Sequence, residues 1–175
     1  ILENTAFSEE DRAMARTLKN TVVSHGLSKY NVDQSKPLQH QASPGQRVIL
    51  VPGQVETDAS IRRGCVDIHT NARLLREVRE HDPQAYIIYK PHPDVLSGNR
   101  DGVGSIVDKT DYDLLIMDVS IVQCLDAVDE VHTMTSLVGF EGLLRGKRVV
   151  TYGQPFYAGW GLTEDRAGII ARRTR

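Results

Sequence analysis

Cysteine is scarce and dispersed. Cys65 and Cys124 are the only two in 175 residues, which excludes a disulfide scaffold or a thiolate metal site and leaves both as reduced interior thiols. His69 follows Cys65 at a spacing that one helix face could share, but two candidate ligands do not make a zinc site, and no metal is expected. Long apolar runs are also missing. Nothing approaches the roughly 20 residues that cross a bilayer, and no leader-like segment opens the chain, so a cytoplasmic location is expected. Neither charge is in excess: the formal net charge of -2 and the pI near 6.3 give no ground for a nucleic-acid partner. No Gly-x-Gly-x-x-Gly follows the first strand, no Gly-Lys-Ser/Thr loop occurs and no hydrolase elbow is present. These absences argue against a dinucleotide dehydrogenase, a phosphate-loop ATPase and an elbow hydrolase. There is no internal repeat.

What is present is a hydrophobic content of 40%, enough to bury a core in one domain. Ser8-Glu-Glu-Asp is a capping pattern that predicts a helix over 9–24, with Ala13, Leu18, Val22 and Val23 as an apolar stripe. The turn Gly26 to Asn31 follows, carrying a hydroxyl, an ammonium and a phenol that could reach an anionic ligand. Residues 32–46 have a linker's Gln, Ser, Pro and Gly composition. Residues 47–51 are nearly all apolar, the pattern of a central parallel strand.

A helix is predicted over 67–80 and a strand over 85–89. Residues 97–106 form a glycine-rich loop, and 113–118 a short strand or loop. A helix capped by Asp118 or Ser120 then runs to about Ala127. Residues 131–134 form the next strand, Thr135 or Ser136 caps a helix over 137–145, Gly146 stops it, and 147–152 is a further strand. Strands alternating with helices predict an α/β, Rossmann-like parallel sheet flanked by helices, in which ligands bind beyond the carboxyl ends of the strands.

Those ends carry the polar residues. Gly53 and Gln54 follow the first strand and Lys90, His92 and Pro93 the second, where flanking prolines hold the histidine extended. Thr135 and Ser136 follow the third, and the helix they open supplies amides and a dipole suited to phosphate. Glu141, one turn further in, is placed to accept hydrogen bonds from two ribose hydroxyls. Together they suggest a nucleotide site, and dispersed strand-end contacts suit a nucleotide-sugar transferase.

Four stretches resemble the capsule polysaccharide biosynthesis family, specifically the KpsC-type Kdo transferases. They are Val-Pro-Gly-Gln-Val-Glu (51–56), Tyr-Lys-Pro-His-Pro-Asp-Val (89–95), Asp-Glu-Val-His-Thr-Met-Thr-Ser-Leu-Val-Gly-Phe-Glu (129–141) and Gly-Gln-Pro-Phe-Tyr-Ala-Gly-Trp-Gly-Leu-Thr (153–163). Gly-Leu-Ser-Lys-Tyr-Asn (26–31) matches as well.

The resemblance implies the C-terminal, nucleotide-sugar-binding half of a GT-B glycosyltransferase, using CMP-Kdo to extend a lipid-linked acceptor in bacterial capsule synthesis. It implies that residues 1–31 are a remnant of the preceding half, 32–46 a linker and 47–175 the CMP-sugar-binding domain. His92 and Ser136 would contact the CMP phosphate, Glu141 the ribose, and Gln154, Tyr157 and Trp160 the sugar or the cleft mouth. No cofactor beyond the donor itself is implied.

The nucleophile or base is expected in the other half, with Asp94 and Glu56 more structural than catalytic. Other partners would be the lipid-linked glycan and capsule assembly or export proteins, at the inner face of the inner membrane. An opening Ile1 and a basic tail at 172–175 point to an excerpt of a longer polypeptide. A sialyltransferase-like or epimerase GT-B enzyme, or a non-catalytic half-module serving as an assembly scaffold, remains as the alternative.

Overall fold

The computed structural model describes residues 3–29, 37–96, 106–168 and 173. The expected features at Tyr30, Asn31, residues 97–105 and most of the basic tail lie outside them.

Six strands form one sheet in the order β3-β2-β1-β4-β5-β6, and every pair is parallel. They are β1 (Val48–Pro52), β2 (Tyr86–Lys90), β3 (Leu114–Leu115), β4 (Glu130–Thr133), β5 (Arg148–Thr151) and β6 (Glu164–Asp165). This is the Rossmann-like α/β fold that strand-helix alternation predicts, with its order reversing between β1 and β4. All five residues of β1 are buried, as a strand covered on both faces requires.

Alternation along the strands sorts the core into two layers. Ile49, Val51, Ile87 and Val150 face α2 (Ala59–Gly64) and α3 (Asn71–His81). Leu50, Ile88, Val131 and Val149 face α5 (Ile121–Ala127) and α6 (Leu137–Leu144). Caps set the helix starts. Thr70 Oγ1 accepts from Arg73 N, and Ser120 shares a capping box with Gln123.

The helix predicted over 67–80 begins later, at Asn71, so Cys65 and His69 share no helix face. His69 Nε2 instead bonds the Val66 carbonyl at 3.0 Å. Three elements were not predicted: α2, the four-residue helix Pro93–Leu96 and β6. The six-residue α2 contributes one buried side chain, Ile61, and the two-residue β6 is polar, held by ion pairing of Arg148 with Glu164 and a 2.9 Å hydrogen bond from Thr151 to Asp165.

The predicted capping box at Ser8 opens α1 (Glu9–Ser24), but its stripe does not face the core. No residue of α1 is buried, and Met14 and Leu18 are exposed. The turn after it reaches the main fold, where Lys29 N donates to Glu141 Oε1 at 3.2 Å. Among the described residues no helix is long and apolar enough to cross a membrane.

Candidate functional site

At the switch point the exits of β1, β2 and β4 surround a cavity of about 550 Å³. It is lined by Gly53, Gln54, Lys90, His92, Pro93, Thr135, Ser136 and Glu141, and also by Lys29 from the turn after α1. Seven residues singled out at strand ends, and Glu141 within α6, are therefore brought to one place. Gln154, Tyr157 and Trp160 are not among its lining residues.

Gly53 is small because two loops meet there. Its N–H donates to Lys90 O at 2.7 Å, and a Cβ would sit 3.0 Å from Tyr89 Oη and 3.1 Å from His92 N. This contact fixes the β1 exit against the segment that carries His92. Pro93 opens α4 (Pro93–Leu96), the helical position at which a missing N–H costs nothing. Asp94 N donates to His92 Nδ1 at 3.2 Å, while the Asp94 carboxylate is 3.9 Å from the same nitrogen. The closer amide makes Nδ1 an acceptor and assigns the ring hydrogen to Nε2. Lys90 Nζ donates to Met117 O at 3.1 Å along the same rim.

Ser136 is the N-cap of α6, with Oγ accepting from Val138 N at 3.2 Å, and this leaves its hydroxyl hydrogen as the group it can offer. Gln54 is 7% exposed and its amide is turned onto the β4 exit. Oε1 accepts from Thr135 N at 2.9 Å and from the Thr133 hydroxyl at 3.3 Å, and Nε2 donates to Thr135 Oγ1 at 2.9 Å. Gln54, of which a ligand contact was expected, lines the cavity and also braces the β4 exit.

Glu141 is 6% exposed. Oε1 takes the Lys29 amide, while Oε2 is buried and has no hydrogen-bond partner among the described residues. Burial pushes its carboxyl above the usual glutamate range, against the pull of the Lys29 amide and the Arg145 charge. An orphaned acceptor at a cavity wall is costly unless a donor arrives, and vicinal hydroxyls are suitable donors.

The aromatic loop has other work. Tyr157 is 3% exposed and its hydroxyl donates to Ser136 O. Trp160 Nε1 donates to Phe156 O at 2.8 Å, with the Arg173 guanidinium 5.7 Å from the centre of its ring. Gln154 N donates to Gly64 O at 2.6 Å. Arg173 also bonds the carbonyls of Pro155 and Ala158.

Sequence reasoning missed Asn71, which is 4% exposed beside the site. A single asparagine behind a threonine cap carries no signal of its own. Among the described residues no group of three His, Cys, Asp or Glu is placed to hold a metal.

Comparison with known proteins supports the family and the fold. The family described as capsule polysaccharide biosynthesis protein matches residues 2–175. The capsule polysaccharide modification protein LipA of Neisseria meningitidis serogroup B is 53% identical over the whole of this chain and 25% of its own length. The lipopolysaccharide-processing protein LpsZ of Rhizobium meliloti is 44% identical over the whole of this chain and 39% of its own. The chain thus spans a quarter to two fifths of these relatives.

Among solved structures, the beta Kdo 2,4 transferase of Thermosulfurimonas dismutans KpsC superposes with a TM-score of 0.84 at 31% identity, covering all of this chain and 56% of that one. The beta Kdo 2,7 transferase of the same protein gives 0.71 at 38% identity, over 93% and 50%.

Proposed function

Because the chain belongs to the capsule polysaccharide biosynthesis protein family, we propose that it is the donor-binding half of a glycosyltransferase module that moves Kdo from CMP-Kdo to a lipid-linked acceptor. The observation that carries this reading is the buried Glu141 Oε2, without a hydrogen-bond partner among the described residues, in the same cavity as His92, Lys90 and the Ser136 cap. One wall then suits ribose hydroxyls and the other a phosphate.

The chemistry follows from where charge grows. As the bond between the anomeric carbon and phosphate breaks, the electron pair leaves with the CMP phosphate. The His92 Nε2–H, the Ser136 hydroxyl, the Lys90 ammonium and the positive end of the α6 dipole are the groups this chain offers that charge. Each acts more strongly in a dry cavity than in water.

The attacking carboxylate or base is assigned to the N-terminal half of the module. Glu56, in the loop that follows β1, is spent on Asn71 at 2.7 and 3.0 Å. In this reading residues 1–31 belong with that half, 32–46 link it to the donor domain at 47–175, and the assembled enzyme works at the inner face of the inner membrane with the capsule assembly and export proteins. Both KpsC structures that the chain resembles are Kdo transferases, which supports the choice of sugar.

Calorimetric titration with CMP, using UMP as control, tests the reading. CMP should bind selectively, and His92→Ala and Ser136→Ala should each weaken it about tenfold or more, the loss of a charge-assisted hydrogen bond. Equal affinity for CMP and UMP, or variants that bind CMP as well as the parent, would overturn it.

A further inference from the structure

We infer that Asn71 is a positioning residue for the donor site, acting through Gln54 to hold the Thr135–Ser136 turn where a phosphate is received. The inference rests on the donor-site reading above.

The sheet itself shows why such a device is needed. β1 and β4 are neighbours, but their register ends at Leu50 with Val131, although β1 runs on to Pro52 and β4 to Thr133. Beyond that pair the strands part and the cleft opens. No further residue pair of the two strands is in register there, and side-chain hydrogen bonds join the exits instead.

Asn71 and Gln54 form a two-point clasp: Gln54 N donates to Asn71 Oδ1 and Asn71 Nδ2 donates to Gln54 O, both at 2.9 Å. Glu56 Oε1 holds Asn71 in place from its amide at 2.7 Å and its Nδ2 at 3.0 Å. With its backbone pinned, Gln54 spends its side-chain amide on Thr133 and Thr135. Thr133 Oγ1 in turn accepts from Ser136 N at 3.2 Å. The path from the first residue of α3 to the cap of α6 is thus continuous, and Asn71 and Gln54 are both buried, so water cannot readily replace a lost partner.

The test compares Asn71→Ala with Thr70→Ala. The second removes the α3 cap, and with it some stability, without touching the clasp. In the ligand-free protein, hydrogen exchange at the Thr135 amide should accelerate about tenfold or more in Asn71→Ala relative to Thr70→Ala, since its acceptor Gln54 Oε1 is no longer held. CMP affinity should fall about tenfold in Asn71→Ala and remain near the parent value in Thr70→Ala.

Asn71→Asp sets two carboxylates against each other and should be worse than the alanine. Adding Glu56→Gln should restore part of the affinity by returning a donor to that contact. Thr135 exchange that is the same in both single variants overturns the clasp, whether or not the parent binds CMP. Faster exchange with unchanged CMP affinity overturns its role in positioning. A parent that does not bind CMP counts against the donor-site reading, and the exchange comparison still decides the clasp.

Discussion

The hydroxyl of Tyr157 donates to the carbonyl of Ser136, the residue that caps α6, and the same oxygen would lie 2.2 Å from a Cβ placed on Gly139. The phenol therefore locks the helix that would face the phosphate, and the glycine exists to let it approach. Gly139→Ala should cost about 1–3 kcal/mol, because a buried ring cannot retreat. Tyr157→Phe should cost about 1 kcal/mol for the lost hydrogen bond. In the double variant the costs should sum to less than the two alone, since the nearest clashing atom is gone while Cζ remains at 2.8 Å. Thermal unfolding of the four proteins measures this, and strict additivity would show that the helix moves and the ring is no obstacle.

Cys65 and Cys124 are free, buried, and pushed up to about 11 by that burial. At pH 8 only about one thiol in a thousand is ionised at such a value, and the thiolate is the reacting species. Both should resist a thiol reagent in the native protein and react together once urea unfolds it. Rapid labelling of either one at pH 8 would mean that its cover opens locally.

What the sequence disclosed, and what it did not, divides along physical lines. The four-strand centre was legible because continuous apolar runs such as Val48 to Val51 have few other homes, and the caps at Ser8, Ser120 and Ser136 mark helix starts chemically. The lining of the cavity was legible where polar residues closely follow such runs, as at His92 and Ser136. Gln54 was placed at the cavity, but its bracing of one exit against another was not foreseen, since such an amide looks in sequence like one that only awaits a ligand. Tyr157 was drawn toward the cleft mouth by its aromatic loop, although its hydroxyl has a main-chain partner that no local spacing reveals. Asn71, β6 and α2 depend on contacts distant in sequence or on very few apolar residues, so periodicity could not find them.

Glu141 sets stability against binding. Its folded carboxyl titrates above the ordinary value of 4.5 because burial disfavours the charge. The native state then holds a proton that the unfolded chain has released, so this group's contribution is fully present below the unfolded value and is lost as pH rises through the folded one. Glu141→Gln keeps an acceptor for Lys29 N and removes the buried charge. It should raise the melting temperature at pH 7, with the gain shrinking toward pH 4, while weakening CMP binding about tenfold as a charged acceptor for hydroxyls is lost. A variant that is stabilised yet binds CMP as the parent does would remove ribose from this wall.

At the opposite end of β4, Glu130 produces the reverse pH dependence. It is 4% exposed and accepts from Arg47 at 3.2 Å, Arg148 at 2.7 Å and His132 Nε2 at 3.0 Å. Burial alone would raise its carboxyl, but the hydrogen bonds from His132 and Arg148 outweigh it and bring the group to about 2. Burial pushes His132 down against the pull of Glu130, and a neutral ring meets every contact: Nε2–H donates to Glu130, and Nδ1 accepts from the Tyr152 hydroxyl, which accepts from Arg166 at 2.9 Å. Both shifts mean that the unfolded chain binds more protons in acid. Stability present above pH 6.5 is eroded first through His132, and that of Glu130, present above about 4.5, is lost as pH falls toward about 2. Glu130→Gln should cost about 3 kcal/mol at pH 7, where two arginines lose a buried partner, and should flatten the loss between pH 4.5 and 2. Urea unfolding across that range measures both effects, and an acid slope as steep in the variant as in the parent would place the acid sensitivity in other carboxylates.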